Sequence, residues 1–308
     1  MEQAFQHLLV VQQHDDALAL QRAITLAEQH QSRITVFKSF YKNLPPAMAG
    51  RSATAQQLEQ FVRQQQQQIQ QQVDTLSKHN LALNVVISWQ HNERQALQQL
   101  TQQSDISMII ATQQHRHGVM ALLPDRFEHY LINDCDLPVW LVKQHKAAAD
   151  MQILACVDVD SELSSNAQLN DKILDIGNQL CQHQADKLQV INCYCNDDLT
   201  MSLPYDSAQG FAPLPDASGQ HSARLQPYLT QHQLEQTQLY LSEGLVDDEI
   251  PKAAKQLKSD VAIIGNNHMH SLSSALLGDT AHYLTAHTPC DVLIVKPALS
   301  AQFALATP

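Results

Sequence analysis

The sequence has no apolar run that approaches the roughly 18 residues of a membrane-spanning helix, so we expect no membrane span. Basic residues are also scarce, with 19 lysines and arginines against 31 aspartates and glutamates and a formal net charge of −12. Because nucleic-acid binding is driven largely by lysine and arginine, this balance argues against a nucleic-acid partner. A local site for a small nucleotide is still compatible with the charge.

Several short motifs are missing as well. The six cysteines are irregularly spaced and form no CxxC pair, which predicts reduced thiols and excludes a CxxC zinc frame. There is no Gly-x-Ser-x-Gly nucleophile motif and no acid–base pair at helical spacing, so we expect a protein that is not an enzyme. The N-terminus lacks a basic region followed by an apolar run and a cleavage site, which predicts a cytoplasmic protein.

What the sequence does contain is an internal repeat. Three short blocks recur 153 residues later, and the pairs are His115-x-His117 with His268-x-His270, 129–131 with 282–284, and 142–143 with 295–296. A constant offset over three blocks indicates two copies of one domain. We therefore predict a first domain over residues 1–146 and a second over residues 151–300.

Each copy alternates strands with helices. The strands are predicted near 7–12, 33–39, 83–89, 106–111 and 138–143 in the first copy, and near 152–158, 187–194, 236–241, 260–264 and 291–296 in the second. Continuous apolar runs such as 292–295 indicate strands that are buried on both faces of a parallel sheet. We predict an α/β fold with two tandem doubly wound domains. Each would be a five-stranded parallel sheet with helices on both faces.

Three further expectations concern single segments. The glutamine-rich stretch 60–80 is predicted to be a helix, because its apolar residues recur at helical spacing. Residues 197–220 are rich in proline and glycine and are predicted to form a long loop that covers a binding site. Lys143 and Lys296 end the last strands, and we expect both to be exposed to solvent.

A candidate binding site follows from the topology. Ligands of doubly wound sheets bind at the carboxyl ends of the strands, where the strand order reverses. In the second copy this places Asp158, after the first strand, and Gly265, after the fourth, beside one crevice. Asp158 could accept hydrogen bonds from a ribose or a base, and Gly265 allows close backbone approach. The helix that starts near Gly278, Asp279 and Thr280 could hold a phosphate at its N-terminus.

These segments, 153-ILACVD-158, 265-GNNHMHSLSSALLGDT-280 and 290-CDVLIVKP-297, resemble the universal stress protein family, in particular its tandem E-type subgroup. Nucleotide-binding members carry Gly-x2-Gly-x9-Gly followed by Ser or Thr. Gly265 and Gly278 match the first and third glycines, His268 stands at the second, and Asp279 precedes Thr280. The resemblance implies that Asp158 contacts a nucleoside, and that the two domains pair through their last strands as an internal pseudo-dimer.

The first copy departs further from the family pattern. Gln13 stands at the position of Asp158, and Pro124, which has no N–H to give a phosphate, stands at that of the third glycine. We therefore expect no nucleotide in the first domain. In the second, Asp279 is a good helix N-cap and could take the place that a phosphate fills elsewhere.

Three functions follow from these patterns. The first is a non-enzymatic stress-response module that binds a small ligand, apolar or amphipathic, or a protein partner, with a homodimer also compatible. The second is an ATP-binding protein with weak ATPase or nucleotidyl chemistry in the second domain. The third is a metal-binding protein, in which His115 and His117, or His268 and His270, supply imidazole ligands.

Overall fold

The computed structural model describes residues 4–12, 17–40, 55–77, 79, 81–90, 92–113, 126–143, 150–160, 164–182, 184–195, 216–267 and 280–297. The chain forms two compact units. Unit 1 comprises Met1–Ala149 with Asp291–Ile294, and unit 2 comprises Asp150–Cys290 with Val295–Pro308. The predicted α/β fold is confirmed. The units differ from the sequence repeats at one strand, since residues 291–294 of the second repeat belong to unit 1.

Unit 1 alternates strands and helices as predicted. Its strands from the first repeat are β1 (His7–Gln12), β2 (Arg33–Ser39), β3 (Leu83–Ser88), β4 (Met108–Thr112) and β5 (Val139–Val142). Its helices are α1 (Leu18–His30), α2 (Ala55–Leu76), α3 (Glu93–Gln103) and the short α4 (Arg126–His129), which continues as a π-type turn over Tyr130–Asp134.

The five strands of unit 1 form a parallel sheet in the order β3-β2-β1-β4-β5. The central strand β1 lies between β2 and β4, with Leu8 beside Ile34 on one side and Met108 on the other. All three side chains are buried, as expected for strands covered on both faces.

The last strand of the chain, β10 (Asp291–Val295), pairs with β5 in the antiparallel sense. Val292 lies opposite Leu141, and Leu293 lies opposite Trp140. The predicted pairing of the two last strands is therefore confirmed, and it explains why residues 291–294 belong to unit 1.

Unit 2 repeats the same pattern. Its strands are β6 (Ile153–Cys156), β7 (Leu188–Tyr194), β8 (Leu239–Glu243) and β9 (Val261–Gly265), which are parallel in the order β9-β6-β7-β8. Its helices are α5 (Ser164–Leu180), α6 (Ala217–Gln231), α7 (Val246–Gln256) and α8 (Thr280–His287). Residues 217–220, which we predicted to lie in a long loop, instead form the first turn of α6, with Asp216 as its N-cap.

The glutamine-rich stretch is a helix, as predicted. Within α2 the side chains of Ile69 and Val73 are buried, while most of the glutamines are exposed. Glutamine has a good helix propensity, so the composition favours the helix even where few side chains pack.

A buried carboxylate fixes β10 inside unit 1. Asp291 is fully buried, and its Oδ2 lies 2.9 Å from Nη2 of Arg22 on α1 and accepts a hydrogen bond from the indole N–H of Trp140 at 2.9 Å. Its Oδ1 accepts a hydrogen bond from the backbone N–H of Lys143 at 2.9 Å. A charge buried this deeply is tolerated only when it is paired and hydrogen-bonded, and Asp291 meets both conditions.

The expectation that the two terminal lysines are exposed is wrong. Lys143 is 6% exposed and Lys296 is 3% exposed. The backbone of Lys143 is held by Asp291, and the carbonyl of Lys296 accepts a hydrogen bond from Nζ of Lys172 on α5 at 3.0 Å. Neighbouring elements therefore cover both residues. Their position at the end of a strand does not by itself reveal this burial.

Candidate functional site

The first strand of unit 2 ends beside an exposed carboxylate. Asp158 follows β6, and the buried side chain of Asn170 on α5 holds its backbone from both sides. The Asp158 N–H donates to Oδ1 of Asn170 at 3.1 Å, and the Asp158 carbonyl accepts from Nδ2 of Asn170 at 2.6 Å. This clamp fixes the point at which the chain leaves the sheet.

Among the described residues, the carboxylate of Asp158 has two hydrogen-bond donors. Its Oδ1 accepts from the backbone N–H of Asp160 at 2.9 Å, and its Oδ2 accepts from Nδ2 of Asn166 on α5 at 3.2 Å. An ionised carboxylate offers about four acceptor positions, and this one is exposed. The oxygens therefore retain capacity for donors from a ligand.

The fourth strand of unit 2 ends at Gly265, where a side chain would collide with a helix. A Cβ atom on Gly265 would lie 2.7 Å from Cδ2 of Leu169 and 3.3 Å from Cδ1 of Ile173, both on α5. The glycine thus lets the strand end and α5 approach each other closely.

The two strand ends are joined by side chains. Asn267, two residues after β9, donates from Nδ2 to Oδ1 of Asn166. Because Asn166 donates in turn to Asp158, one amide bridges the residues that follow β9 and β6. We call Asp158, Asn166, Gly265 and Asn267 the unit 2 crevice. The structure brings Asp158 and Gly265 to one edge of the sheet, as the topology predicts.

A buried histidine supports this crevice from α6. Asn192 on β7 donates to the carbonyl of Val157 at 3.0 Å, and its Oδ1 lies 2.7 Å from Nδ1 of His221. Nε2 of His221 lies 3.0 Å from Oδ1 of Asp160, which Arg224 approaches at 3.6 Å. The segment 157–160 is therefore held by α6 as well as by α5.

Two thiols near this strand end, Cys156 and Cys193, have raised pKa values. Burial, followed by the neighbouring Glu249 and Cys195, raises the pKa of Cys193 to about 12. Burial also raises the pKa of Cys156 well above its ordinary value. Since the thiolate is the nucleophile and the metal ligand, neither cysteine supplies that chemistry near neutral pH.

The corresponding edge of unit 1 is built differently. Thr112 stands 153 residues before Gly265, at the end of β4, and its Oγ1 accepts a hydrogen bond from the backbone N–H of Ala19 on α1 at 3.2 Å. In both units the next residue donates its N–H to the last strand, Gln113 to Val142 and Asn266 to Val295. The two positions are thus structurally equivalent, but only unit 1 places a side chain over the first turn of the helix.

Comparison with known proteins assigns the chain to a family. The model of the universal stress protein family matches residues 4–143 and again residues 151–296. The chain belongs to the universal stress protein family. The two matches correspond to the internal repeat and show two such domains in tandem.

Two relatives align with this chain over nearly the whole length of both proteins. The chain is 22% identical over 306 residues to the universal stress protein E homolog of Haemophilus influenzae, which covers 96% of this chain and 98% of the relative. It is 22% identical over 301 residues to universal stress protein E of Escherichia coli K12, which covers 95% of this chain and 94% of the relative. The predicted resemblance to the tandem E-type subgroup is confirmed.

Solved structures support the fold. A protein of unknown function from Pseudomonas aeruginosa PAO1 matches with a TM-score of 0.70 at 20% identity, covering 96% of this chain and 94% of that one. A universal stress protein from Archaeoglobus fulgidus matches with a TM-score of 0.62 at 9% identity, covering 96% and 98%. At these identities the likeness concerns the fold alone.

Not all predicted site residues can be placed in this universal stress protein. Asp158 and Gly265 lie at the crevice, and Thr280 begins α8. The remaining candidates lie outside the described residues, and they are His115, His117, His268, His270, Gly278 and Asp279. Within the part of the chain that the structure describes, no group of three or more His, Cys, Asp or Glu side chains could hold a metal ion. Nor does any helix in that part have the length and apolar character needed to cross a membrane.

Sequence reasoning missed four polar residues that shape the crevice: Asn166, Asn170, His221 and Asn267. One signal was available. Asn166 and Asn170 are four residues apart at the start of α5, directly after the strand that carries Asp158. Residues at this spacing share one helix face, so both amides could have been assigned to the strand end.

Proposed function

We propose that this universal stress protein is a cytoplasmic, non-enzymatic stress-response module that binds a small ligand in the unit 2 crevice. The observation that carries the proposal is the exposed Asp158 carboxylate, which Asn166 connects to the end of β9. Ligands of doubly wound sheets bind at this edge. A cytoplasmic location agrees with six cysteines that form no disulfide, four of which are buried.

The chemistry of the crevice favours a ligand with hydrogen-bond donors. A carboxylate accepts hydrogen bonds from hydroxyl and amino groups, and the amides of Asn166 and Asn267 add a polar wall. Asp160 is paired with His221 and Arg224, whereas Asp158 has no cationic partner among the described residues, which disfavours a phosphate beside it. We therefore propose a neutral or cationic ligand group at Asp158, such as a ribose diol or an amino group.

The non-enzymatic part of the proposal rests on the side chains around Asp158. The thiols of Cys156 and Cys193 are held protonated, and both known donors to Asp158 are an amide and a backbone N–H. An activated thiol needs a base or a cation that lowers its pKa, whereas the pKa of both thiols is raised. We expect no ATP hydrolysis with magnesium or manganese above that of a heat-inactivated control.

Adenosine is the probe that tests the crevice, because it has a ribose diol and an amino group but no phosphate. We expect calorimetric titration to show binding, and Asp158→Ala to weaken it about 10- to 100-fold, the effect of losing hydrogen bonds to a charged group. Asp186→Ala is the matched control, since it removes an exposed carboxylate of unit 2 that precedes β7. Equal weakening by both variants, or by neither, would contradict the proposal.

ATP binding by unit 2 is the second candidate. It is favoured by Asp158 and Gly265, which match the nucleotide-binding pattern of the family at two positions. ATP and adenosine should be titrated in parallel. If ATP binds more than about tenfold more tightly than adenosine, about 1.4 kcal/mol, the phosphates contribute and the ATP alternative replaces the proposed ligand class.

A further inference from the structure

The histidine below the crevice has both ring nitrogens beside oxygen acceptors. His221 lies in the first turns of α6 and is 6% exposed. Nδ1 is 2.7 Å from Oδ1 of Asn192, and Nε2 is 3.0 Å from Oδ1 of Asp160. These contacts determine which protons the ring must carry.

The orientation of Asn192 fixes the proton on Nδ1. Asn192 is fully buried, and its Nδ2 donates to the carbonyl of Val157 at 3.0 Å. The opposite orientation would place its carbonyl oxygen against the Val157 carbonyl, with no proton between them. Oδ1 of Asn192 therefore faces His221, and Nδ1 of His221 must be the donor.

The contact with Asp160 then requires a second proton. A neutral imidazole carries only one N–H, so a ring protonated at Nδ1 would turn the Nε2 lone pair toward a carboxylate oxygen. Only the imidazolium form donates from Nδ1 to Asn192 and also places an N–H at Nε2, 3.0 Å from the Asp160 oxygen. The attraction between an imidazolium and a carboxylate at this distance also favours the protonated ring.

We propose that His221 is a positioning residue whose protonated ring fixes the 158–160 turn of the unit 2 crevice, so that loss of this proton loosens the turn and weakens ligand binding. The link is short, because Asp160 donates its backbone N–H to Oδ1 of Asp158. The consequence for ligand affinity rests on the proposed function. The consequence for the turn does not.

Other charged and titratable groups around His221 determine how far the 158–160 turn loosens when the ring loses its proton. From its own helix, Arg224 lies 3.6 Å from the same Asp160 oxygen and donates to the carbonyl of Val159 at 3.3 Å. From β7, the ring of Tyr194 lies 5.5 Å from the imidazole. From the turn, Asp158 contacts Asp160. Since Arg224 still holds Asp160 after His221 is neutralised, we expect the turn to loosen without unfolding. Affinity should fall as the pH rises.

The first measurement needs no ligand. Long-range ¹H–¹⁵N spectra of the histidine rings should be recorded on the full chain from about pH 5 to about pH 8, the range in which imidazoles commonly titrate. We expect both His221 nitrogens to be protonated at the acidic end. As Nε2 loses its proton, the protection of the Asp160 amide against exchange, taken relative to the base-catalysed intrinsic rate at each pH, should fall about tenfold, as expected for a weakened hydrogen bond to a charged group. A ring that is neutral throughout would overturn the inference.

The second measurement uses adenosine as the probe over the same pH range. We expect affinity to fall about tenfold as His221 loses its proton, and His221→Gln to remove most of this dependence. His232→Gln is the matched control. Nε2 of this buried histidine lies 3.0 Å from Asp171, and its Nδ1 lies 3.2 Å from Asp175, but it follows the far end of α6. It should retain the pH dependence.

The outcomes separate the two proposals. Adenosine binding that does not change with pH would overturn the inference and leave the proposed function intact. If adenosine does not bind, the proposed ligand class fails, and the ring spectra and Asp160 exchange still decide the role of His221. If His221→Gln does not fold, Asp160→Asn serves instead. It keeps an acceptor for Nε2 but removes the charge, so the pH dependence of the protection at residue 160, taken relative to intrinsic exchange, should shrink.

Discussion

Two aspartates show how differently the two units use a carboxylate. Asp291 in unit 1 is fully buried, and Arg22, Trp140 and the backbone of Lys143 all lie within hydrogen-bond distance of it. Asp158 in unit 2 is exposed and accepts from two donors within the described part of the chain, one of them a backbone N–H. The oxygens of Asp291 are occupied by donors that hold the fold together, whereas those of Asp158 can still accept hydrogen bonds. The comparison teaches that the neighbours of an aspartate decide its role.

The ends of the fourth strands give the same contrast. In unit 1 the hydroxyl of Thr112 accepts from the first turn of α1, and in unit 2 Gly265 has no side chain and packs directly against Leu169 of α5. At the carboxyl end of the fourth strand, unit 1 therefore has a side chain that contacts the first helix, and unit 2 has none at the equivalent position. We expect ligand binding only in unit 2.

The largest expected effect concerns Asp291. Asp291→Ala leaves the guanidinium of Arg22 buried without its carboxylate and removes the acceptor of Trp140, so we expect unfolding free energy to fall by about 3–5 kcal/mol. Chemical denaturation measures this change. Asp158→Ala is the comparison, and we expect it to cost less than about 1 kcal/mol because the site is exposed. Similar losses of unfolding free energy for both variants would show that Asp291 is no more important for stability than the exposed Asp158.

A smaller effect is expected when the unit 1 side chain is placed in unit 2. Gly265→Thr would introduce a Cβ atom that must displace Leu169, and we expect a loss of about 1–3 kcal/mol from overpacking. Adenosine binding should weaken at the same time, because α5 carries Asn166. Denaturation and calorimetry on the same preparation measure both effects. A variant of unchanged stability and affinity would show that close packing at Gly265 does not matter.

A change at the equivalent position of unit 1 should cost less. Thr112→Val keeps the shape of the side chain but removes the acceptor for the Ala19 N–H, so we expect a loss of about 1 kcal/mol. Denaturation of this variant beside Gly265→Thr tests whether the two equivalent positions are held by different interactions. A loss as large as that of Gly265→Thr would argue against the difference.

The smallest effect depends on pH. Hydrogen bonds from His7, and next from Arg33, lower the pKa of Asp105 in unit 1 from 3.8 to about 2. Because the folded-state pKa is the lower one, this carboxylate stabilises unit 1 above pH 3.8 and loses its contribution as the pH falls toward about 2. Solvent screening keeps the effect small, since Asp105 is largely exposed. Asp105→Asn should reduce the dependence of unfolding on pH in this window, and an unchanged dependence would contradict the assignment.

The sequence predicted the strands well because their signal is local. Runs such as 292–295 are continuously apolar, so they could be recognised as buried strands before their partners were known. The position of Asp158 at the end of a strand could be predicted for a similar reason, because it lies at the end of such an apolar run. The pairing of β10 with β5 followed from the family resemblance, not from any local pattern, and its antiparallel sense was not predicted.

Residues whose role depends on distant partners were harder to predict. The bridge from Asn166 to Asn267 joins side chains 101 positions apart, and the contact of Trp140 with Asp291 spans 151. Lys143 and Lys296 were expected to be exposed, and only the packing around them explains their burial. No local pattern encodes these contacts, since each depends on which elements the fold places side by side.

The central claim is that unit 2, and not unit 1, offers a ligand crevice. A titration of the isotope-labelled chain with adenosine, followed through its backbone amide signals, tests this most directly. We predict that the signals that shift belong to residues 157–170 and 264–267, while those of residues 8–12 and 108–113 stay in place. Shifts at the unit 1 positions, or no shift at 157–170, would contradict the account.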